Sequence, residues 1–298
     1  MTDLTGKVAV VTGATGGMGR IIAADLARAG AHVLTVARDP ARADALRALI
    51  GEQAASRLEV ITGDLSRRAD VVTAAKSISD RHDRIHILVN NAGAHYSEHG
   101  VSADGVERHI ALDYLAAYGL TTLLDEPLRR GRARVVNVAS DTLNDTRQLK
   151  LAGRPRPATL DLTGVDELAD LNPAKGFVPF EAYARAKLMT VTAGYALARG
   201  LAADGVTVNA LHPGIVATDI IDDLVPTVLR PMRGLIRRGM LTPAEGAESA
   251  IRIATDPALA GVTGRYFCRD TESSTPPVSH DPATQRKLLA LSQNHFTG

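Results

Sequence analysis

Tyr183 and Lys187 stand one helical turn apart in Tyr183-Ala184-Arg185-Ala186-Lys187, a spacing that sets a phenol and an ammonium on one helix face. A free tyrosine titrates near pH 10. One cation about 5 Å away favours its phenolate by on the order of 3 kcal/mol at an effective dielectric of about 20. Such a pair can deliver a proton and take it back. The same pattern also occurs as a solvated pair on a surface helix, so the spacing alone decides nothing. Three other segments carry hydroxyl, amide or glycine groups suited to a polar ligand: Asn90-Asn91-Ala92-Gly93, the run from Val135 to Ser140, and His212-Pro213-Gly214 with Thr218. Near the start, Thr12-Gly13-Ala14-Thr15-Gly16-Gly17-Met18-Gly19 joins an apolar run to a helical stretch. Glycines let a backbone turn sharply and approach a phosphate, and a helix N-terminus offers free N–H groups. A plain tight connection would need the same glycines, and Gly13, Gly17 and Gly19 depart from the G-x-G-x-x-G spacing. His95 and His99, with Glu98 beside them, are spaced as metal ligands can be. They lack a cysteine or acidic cluster at ligand spacing, and no metal centre is expected.

These residues need elements to hold them. β-Branched runs at 7–12, 32–37, 58–62, 85–90 and 133–139 have the length of strands buried on both faces. Between them lie amphipathic stretches rich in Ala, Leu and Arg, such as 20–29 and 42–50, which read as helices. This alternation predicts an α/β fold, a Rossmann-like doubly wound parallel sheet flanked by helices. The segments ending at Gly93 and Ser140 and the one that starts at His212 then fall at carboxyl ends of predicted strands, where such sheets bind ligands. The glycine turn becomes the first strand–helix connection, the usual dinucleotide site. The end of the second strand reads Val36-Ala37-Arg38-Asp39. Alanine stands where a ribose-binding acid is expected, and the Arg38 guanidinium suits a 2′-phosphate. Asp39 could hold the ribose, but beside Pro40 it serves better as a helix cap. NADP(H) is the expected cofactor, NAD(H) the lesser alternative.

After residue 139 the rhythm breaks. Residues 141–180 carry Pro155, Pro157, Pro173 and Pro179 and read as an irregular insertion, with Arg154 to Pro157 as an exposed extended loop. A long helix over 181–203 and a strand over 206–211 follow. Residues 218–240 mix Ile220, Ile221, Leu224, Val225, Val228 and Leu229 with four arginines, as a lid over an apolar ligand would. A helix starting near Pro243, a last strand at 264–267 and a polar tail from 269 with a short helix at 286–292 complete the chain. One domain over 1–298 is expected, with no repeat and no second core.

The set Thr12 to Gly19, Asp64-Leu65, Asn90 to Gly93, Ser140, Tyr183-x-x-x-Lys187 and Pro213-Gly214 resembles the short-chain dehydrogenase/reductase family over nearly the whole chain. Within it, Ala37-Arg38-Asp39, Asp104-Gly105-x-Glu107, the long gap from Ser140 to Tyr183 and Gly261-Val262-Thr263-Gly264-Arg265-Tyr266-Phe267 look most like the retinol dehydrogenase-like branch, which includes the protochlorophyllide reductases. The resemblance implies that Tyr183 is the acid for carbonyl reduction and the base for alcohol oxidation. Ser140 would position the reacting oxygen, and Lys187 would bind the nicotinamide ribose and lower the tyrosine pKa. Gly13, Thr15, Gly16, Gly17, Met18 and Gly19 would cradle the cofactor, Arg38 its phosphate, and Asp64 and Leu65 its adenine. Asn91, Ala92 and Gly93 would form the cofactor floor, and Pro213, Gly214, Val216 and Thr218 the nicotinamide side. His95, Tyr96, Thr142, Phe180 and Ile215 are the expected substrate contacts. One position departs from the family. Asp113 stands where an asparagine usually helps a water relay to the lysine. An ionised Asp113 near Lys187 would raise the Tyr183 pKa. An Asp113 pointing elsewhere would be inert.

The expected activity is reversible carbonyl/alcohol oxidoreduction on a medium-sized, largely apolar molecule. A non-redox dehydratase or isomerase using Tyr183 alone, and a cofactor-sensing binding protein, are the competing readings. Net charge is +1, which argues against a nucleic-acid partner. The single Cys268 fits a reducing compartment. No run nears the roughly 18 apolar residues of a membrane span, and no signal peptide is visible, so a cytoplasmic protein is expected. Family members often form a homodimer through helices around 105–124 and 181–203, and the insertion and tail are the segments able to block such pairing.

Overall fold

The computed structural model describes residues 2–147, 154–217 and 239–297. Its centre is one sheet of eight strands in the order β3-β2-β1-β4-β5-β6-β7-β8. The strands are β1 (Val8–Val11), β2 (His32–Ala37), β3 (Leu58–Thr62), β4 (Ile87–Asn90), β5 (Arg134–Val138), β6 (Thr207–His212), β7 (Tyr266–Cys268) and β8 (Thr271–Glu272). All neighbours are parallel except β7 and β8, which pair antiparallel. The β-branched runs predicted from sequence are these strands, trimmed by a residue or two at their ends. The last strand starts at Tyr266 rather than 264, and the two-residue β8 was not anticipated.

Alternate residues of each strand enter different cores, as the two-residue pleat requires. Ala9, Val11, Val33, Ile87 and Val89 pack with α1 (Gly17–Arg28) and with a helix near the C-terminus, Pro243–Thr255. Val10, Leu34, Leu88 and Val135 pack on the other face against α4 (Arg68–Arg81) and α5 (Ala116–Leu123). The smaller helices of this half are α2 (Asp44–Ile50), α3 (Glu52–Ala55) and α6 (Asp125–Gly131). The long helix α7 spans Pro179–Leu201, with Pro at its first turn, where a missing N–H is harmless. The helix Pro243–Thr255, here α8, opens on a capping box in which Thr242 and Glu245 satisfy each other's backbone N–H groups.

Two sequence expectations need correction. Helix α1 starts at Gly17, so the glycines form its first turn rather than only preceding it. The described part of the insertion is irregular, as expected, and it is anchored. Leu160, Leu162, Leu168 and Leu171 are buried in the core that contains Ala184 and Leu188 of α7. The tail carries a longer helix than expected. Its helix α9 runs Pro282–Thr297, with Leu288 and Leu291 in that same core. Tyr114 Oη lies 2.5 Å from Ser292 Oγ, and Gly119 of α5 is the contact for the Phe296 ring. Helix α9 therefore covers part of the α5 and α7 face through which pairing was expected. The expected lid falls almost wholly outside the described residues, as does Thr218. Among the described residues, no helix is long and apolar enough to cross a membrane.

Candidate active site

The first and fourth strands part at their carboxyl ends, the topological switch point of the sheet. Thr12 closes that gap. Its backbone N–H donates to Val89 O at 3.0 Å, and its hydroxyl accepts from the N–H groups of Asn91 and Ala92, both at 2.9 Å. Asn91 Nδ2 donates to Thr12 O at 3.0 Å and fills the space behind the glycine turn. A Cβ on Gly19 would lie 2.3 Å from Gly13 O and 2.4 Å from Asn91 Nδ2, so no side chain fits there. Gly13 has φ of 68°, in the left-handed region. The α1 N-terminus has no side-chain cap and no acid in its first turn, and a Cβ on Gly16 would meet nothing within 4 Å. Free N–H groups, a positive dipole end and an open approach fit a pyrophosphate. Met18 is buried against this turn's scaffold, with Val216 and Ala247 in the same cluster.

Arg38 is exposed directly after β2. Asp39 caps the turn Pro40–Ala43, accepting from Ala41 N at 3.0 Å, and its carboxylate is thereby committed locally. Asp64 follows β3 and accepts from the Ser66 N–H and hydroxyl, while Leu65 is buried among Val36, Ile61 and Val71.

Tyr183 and Lys187 face inward from α7 and are 6% and 3% exposed. The Lys187 Nζ lies 5.5 Å from the Tyr183 ring centre and donates to Val138 O at 3.2 Å. Ser140, at the tip of β5, lies close enough to the Tyr183 phenol to favour its ionised form, and it opens the turn Asp141–Leu143. The fourth member is Asp113, on a π-helical turn (Ile110–Leu115) leading into α5. Its Oδ1 is 3.1 Å from Lys187 Nζ and accepts from Ala94 N at 3.1 Å. Its Oδ2 is buried with no hydrogen-bond partner, and its carbonyl accepts from Thr190 Oγ1 at 2.9 Å. A Cβ on Gly93 would lie 2.3 Å from Asp113 Oδ1 and 3.0 Å from Lys187 Nζ, so that glycine lets the pair meet. Asp113 points at the lysine rather than elsewhere.

Burial pushes the Tyr183 phenol up; Lys187 pulls it down, Asp113 pushes it up again, and the net direction is upward. Burial drags the Lys187 ammonium down, but Asp113 and Tyr183 outweigh it and hold the amine protonated. Burial likewise raises Asp113 against the pull of Lys187.

His95 is 6% exposed, and its ring centre is 5.9 Å from that of Tyr183. Neither ring nitrogen has a hydrogen-bond partner. Burial and the nearby His109 hold its pKa down to about 4, so it is neutral, with one donor and one acceptor to offer. Tyr96 lies within reach of the charges of Asp113, Arg38, Arg108 and Asp64. Thr142 Oγ1 is buried without a partner, Phe180 is buried at the start of α7, and Ile215 is 60% exposed on the rim. Pro213 and Gly214 follow β6, where the backbone bridges Val216 to Leu241.

A supporting network drawn from Glu107 and His109 was not assigned a role from sequence. His109 Nε2 accepts from Tyr96 N at 2.9 Å, so the ring proton sits on Nδ1, 2.8 Å from Glu107 Oε1. Asn172 of the insertion donates to Glu107 Oε2 at 2.9 Å, and Arg185 of α7 donates to Asn172 Oδ1. These bonds tie the insertion, the loop before Tyr96 and α7 together. The Asp104-Gly105-x-Glu107 motif was its only trace in the sequence. Among the described residues, His95 and His99 belong to no cluster of three or more possible metal ligands.

The family model for short chain dehydrogenases matches residues 7–149. Retinol dehydrogenase 14 of Mus musculus is 31% identical over 302 residues, covering 97% of this chain and 85% of that protein. Polyprenol dehydrogenase of Mus musculus is 32% identical over 296 residues, covering 96% and 82%. Among solved structures, 3-ketoacyl-(acyl-carrier-protein) reductase from Brucella melitensis complexed with NADH superposes with a TM-score of 0.64 at 27% identity, covering 89% of this chain and 96% of that one.

Proposed function

The chain belongs to the short chain dehydrogenase family, in its retinol dehydrogenase-like branch, and from that premise we propose an NADP(H)-dependent oxidoreductase that interconverts a carbonyl and an alcohol on a largely apolar molecule. The observation that carries the reading is the convergence of Tyr183, Lys187 and Ser140, from two separate elements, beside Gly93 at the carboxyl end of the sheet. A bound dinucleotide supplies or accepts the hydride.

The protein's own groups move the proton. Tyr183 gives its phenolic proton to the substrate oxygen during reduction and recovers it during oxidation. Ser140 holds the same oxygen. Lys187 holds the nicotinamide ribose and favours the phenolate by its charge. Asp113 acts through Lys187 as a positioning residue. The unpartnered ring of His95 supports a role in orienting the substrate oxygen. Arg38, with Asp39 committed to its cap, supports a 2′-phosphate and so NADP(H). Relatives named for retinol and polyprenol, both hydrophobic alcohols, support an apolar substrate.

The test is NADPH oxidation with a panel of hydrophobic aldehydes and ketones. Tyr183→Phe is expected to retain NADPH binding and lose about 10²- to 10⁴-fold in kcat. Arg38→Ala is expected to raise the KM for NADPH by roughly tenfold and leave that for NADH unchanged. Activity that survives in the phenylalanine variant would sink the mechanism, and equal use of both cofactors by the wild type would remove the NADP(H) assignment.

A further inference from the structure

The amino end of the sheet, opposite the site above, holds a cluster that the oxidoreductase does not use. His32 opens β2, Glu59 lies on the edge strand β3, and His82 caps the C-terminus of α4. We propose that His32, Glu59 and His82 form a binding site for one divalent transition-metal ion of the Zn²⁺ or Co²⁺ class.

Glu59 Oε2 is 3.6 Å from His32 Nε2 and 3.4 Å from His82 Nε2. One ligand atom from each residue lies within 4.8 Å of the other two. Zinc–ligand bonds of about 2.0–2.2 Å in tetrahedral geometry set neighbouring ligand atoms about 3.3–3.6 Å apart. Two of the three edges of a coordination face therefore already have the right length. Closing the third needs only a small rotation of two rings whose centres are 5.1 Å apart. The His32 Nε2 is buried without a hydrogen-bond partner, a lone donor atom aimed into the cluster. Two imidazoles and a carboxylate select borderline cations over Ca²⁺ or Mg²⁺, which prefer all-oxygen sites. All three side chains are partly exposed, so a fourth position is open to water. The α4 C-terminus, with its negative dipole end, adds attraction for a cation.

One feature opposes the ion. Arg81 pairs with the other Glu59 oxygen, Oε1. Its side chain is 54% exposed and can leave for solvent. With the ion in place, the edge strand, its neighbour and a helix end share one clip. The open edge of the sheet is then held near the start of β3.

The test uses the full-length, untagged, metal-stripped protein. Co²⁺ titration is followed by its visible ligand-field absorption, and Zn²⁺ by equilibrium dialysis and thermal unfolding. One ion per chain is expected, with a micromolar or tighter Kd and a higher Tm with Zn²⁺. His32→Gln and His82→Gln should each weaken Co²⁺ binding by at least roughly tenfold, and the double variant should lose both the spectrum and the Tm gain. Arg81→Ala, which leaves all three ligands in place, should tighten binding severalfold. Wild-type binding that is no tighter than millimolar would overturn the proposal. So would equal binding by a folded double variant, or no tightening in Arg81→Ala.

Discussion

At the scale of residues, the proposed chemistry turns on three buried groups whose charges bear on one another: Tyr183, Lys187 and Asp113. The Tyr183 phenol is raised, so it stays protonated into alkaline solution. Reduction, which needs the acid form, should hold its rate there. Oxidation needs the phenolate and should rise only on the alkaline side. Asp113→Asn removes the anion that opposes Lys187. Its oxidative pH profile of kcat/KM should move to lower pH. A variant profile that superimposes on wild type would dismiss any influence of Asp113 on Tyr183. The departure at 113 was visible in the sequence. Whether it faces Lys187 or points elsewhere was not, because that contact depends on how a π-helical turn and α7 pack, and on Gly93 having no Cβ.

At the scale of elements, the first connection was legible because a β-branched run, glycines and an amphipathic stretch follow each other within one strand–turn–helix unit. What the glycines do differs by position. Gly19→Ala would force a Cβ against Gly13 O and Asn91 Nδ2. It should cost about 1–3 kcal/mol in stability and weaken NADPH binding, read by urea unfolding and by fluorescence titration. Gly16→Ala meets nothing within 4 Å and should leave stability unchanged. Equal unfolding midpoints for the two variants would refute this division. The Glu107–His109–Asn172 network escaped notice because its members come from segments joined only by folding, one of them the irregular insertion.

At the scale of the molecule, the tail is part of the fold. Helix α9 places Leu288 and Leu291 in the core beneath α7, and Arg199 pairs with Gln285. Leu288 is 0% exposed. Leu288→Ala should cost about 2–5 kcal/mol, measured by urea unfolding. A loss within about 0.5 kcal/mol, as at exposed sites, would mean that the helix does not stay docked in solution. The tail read as polar with only a short helix at 286–292, because polar residues dominate its pattern. Helix α9 shows its burial only once α5 and α7 supply the opposing face.

The sequence by itself determined the parallel doubly wound sheet, the glycine turn, and the pairing of Tyr183 with Lys187 one turn apart. Each is encoded within a few neighbouring residues, through the two-residue period of a strand, the 3.6-residue period of a helix and the free φ of glycine. Only the tertiary structure decided that Asp113 touches Lys187, that His95 presents two unpartnered nitrogens beside Tyr183, that His32, Glu59 and His82 meet at the far end of the sheet, and that the tail belongs to the core. Those contacts join residues far apart in the chain. No local period records them, because they depend on the order of the strands and on which helix faces are left to cover one another.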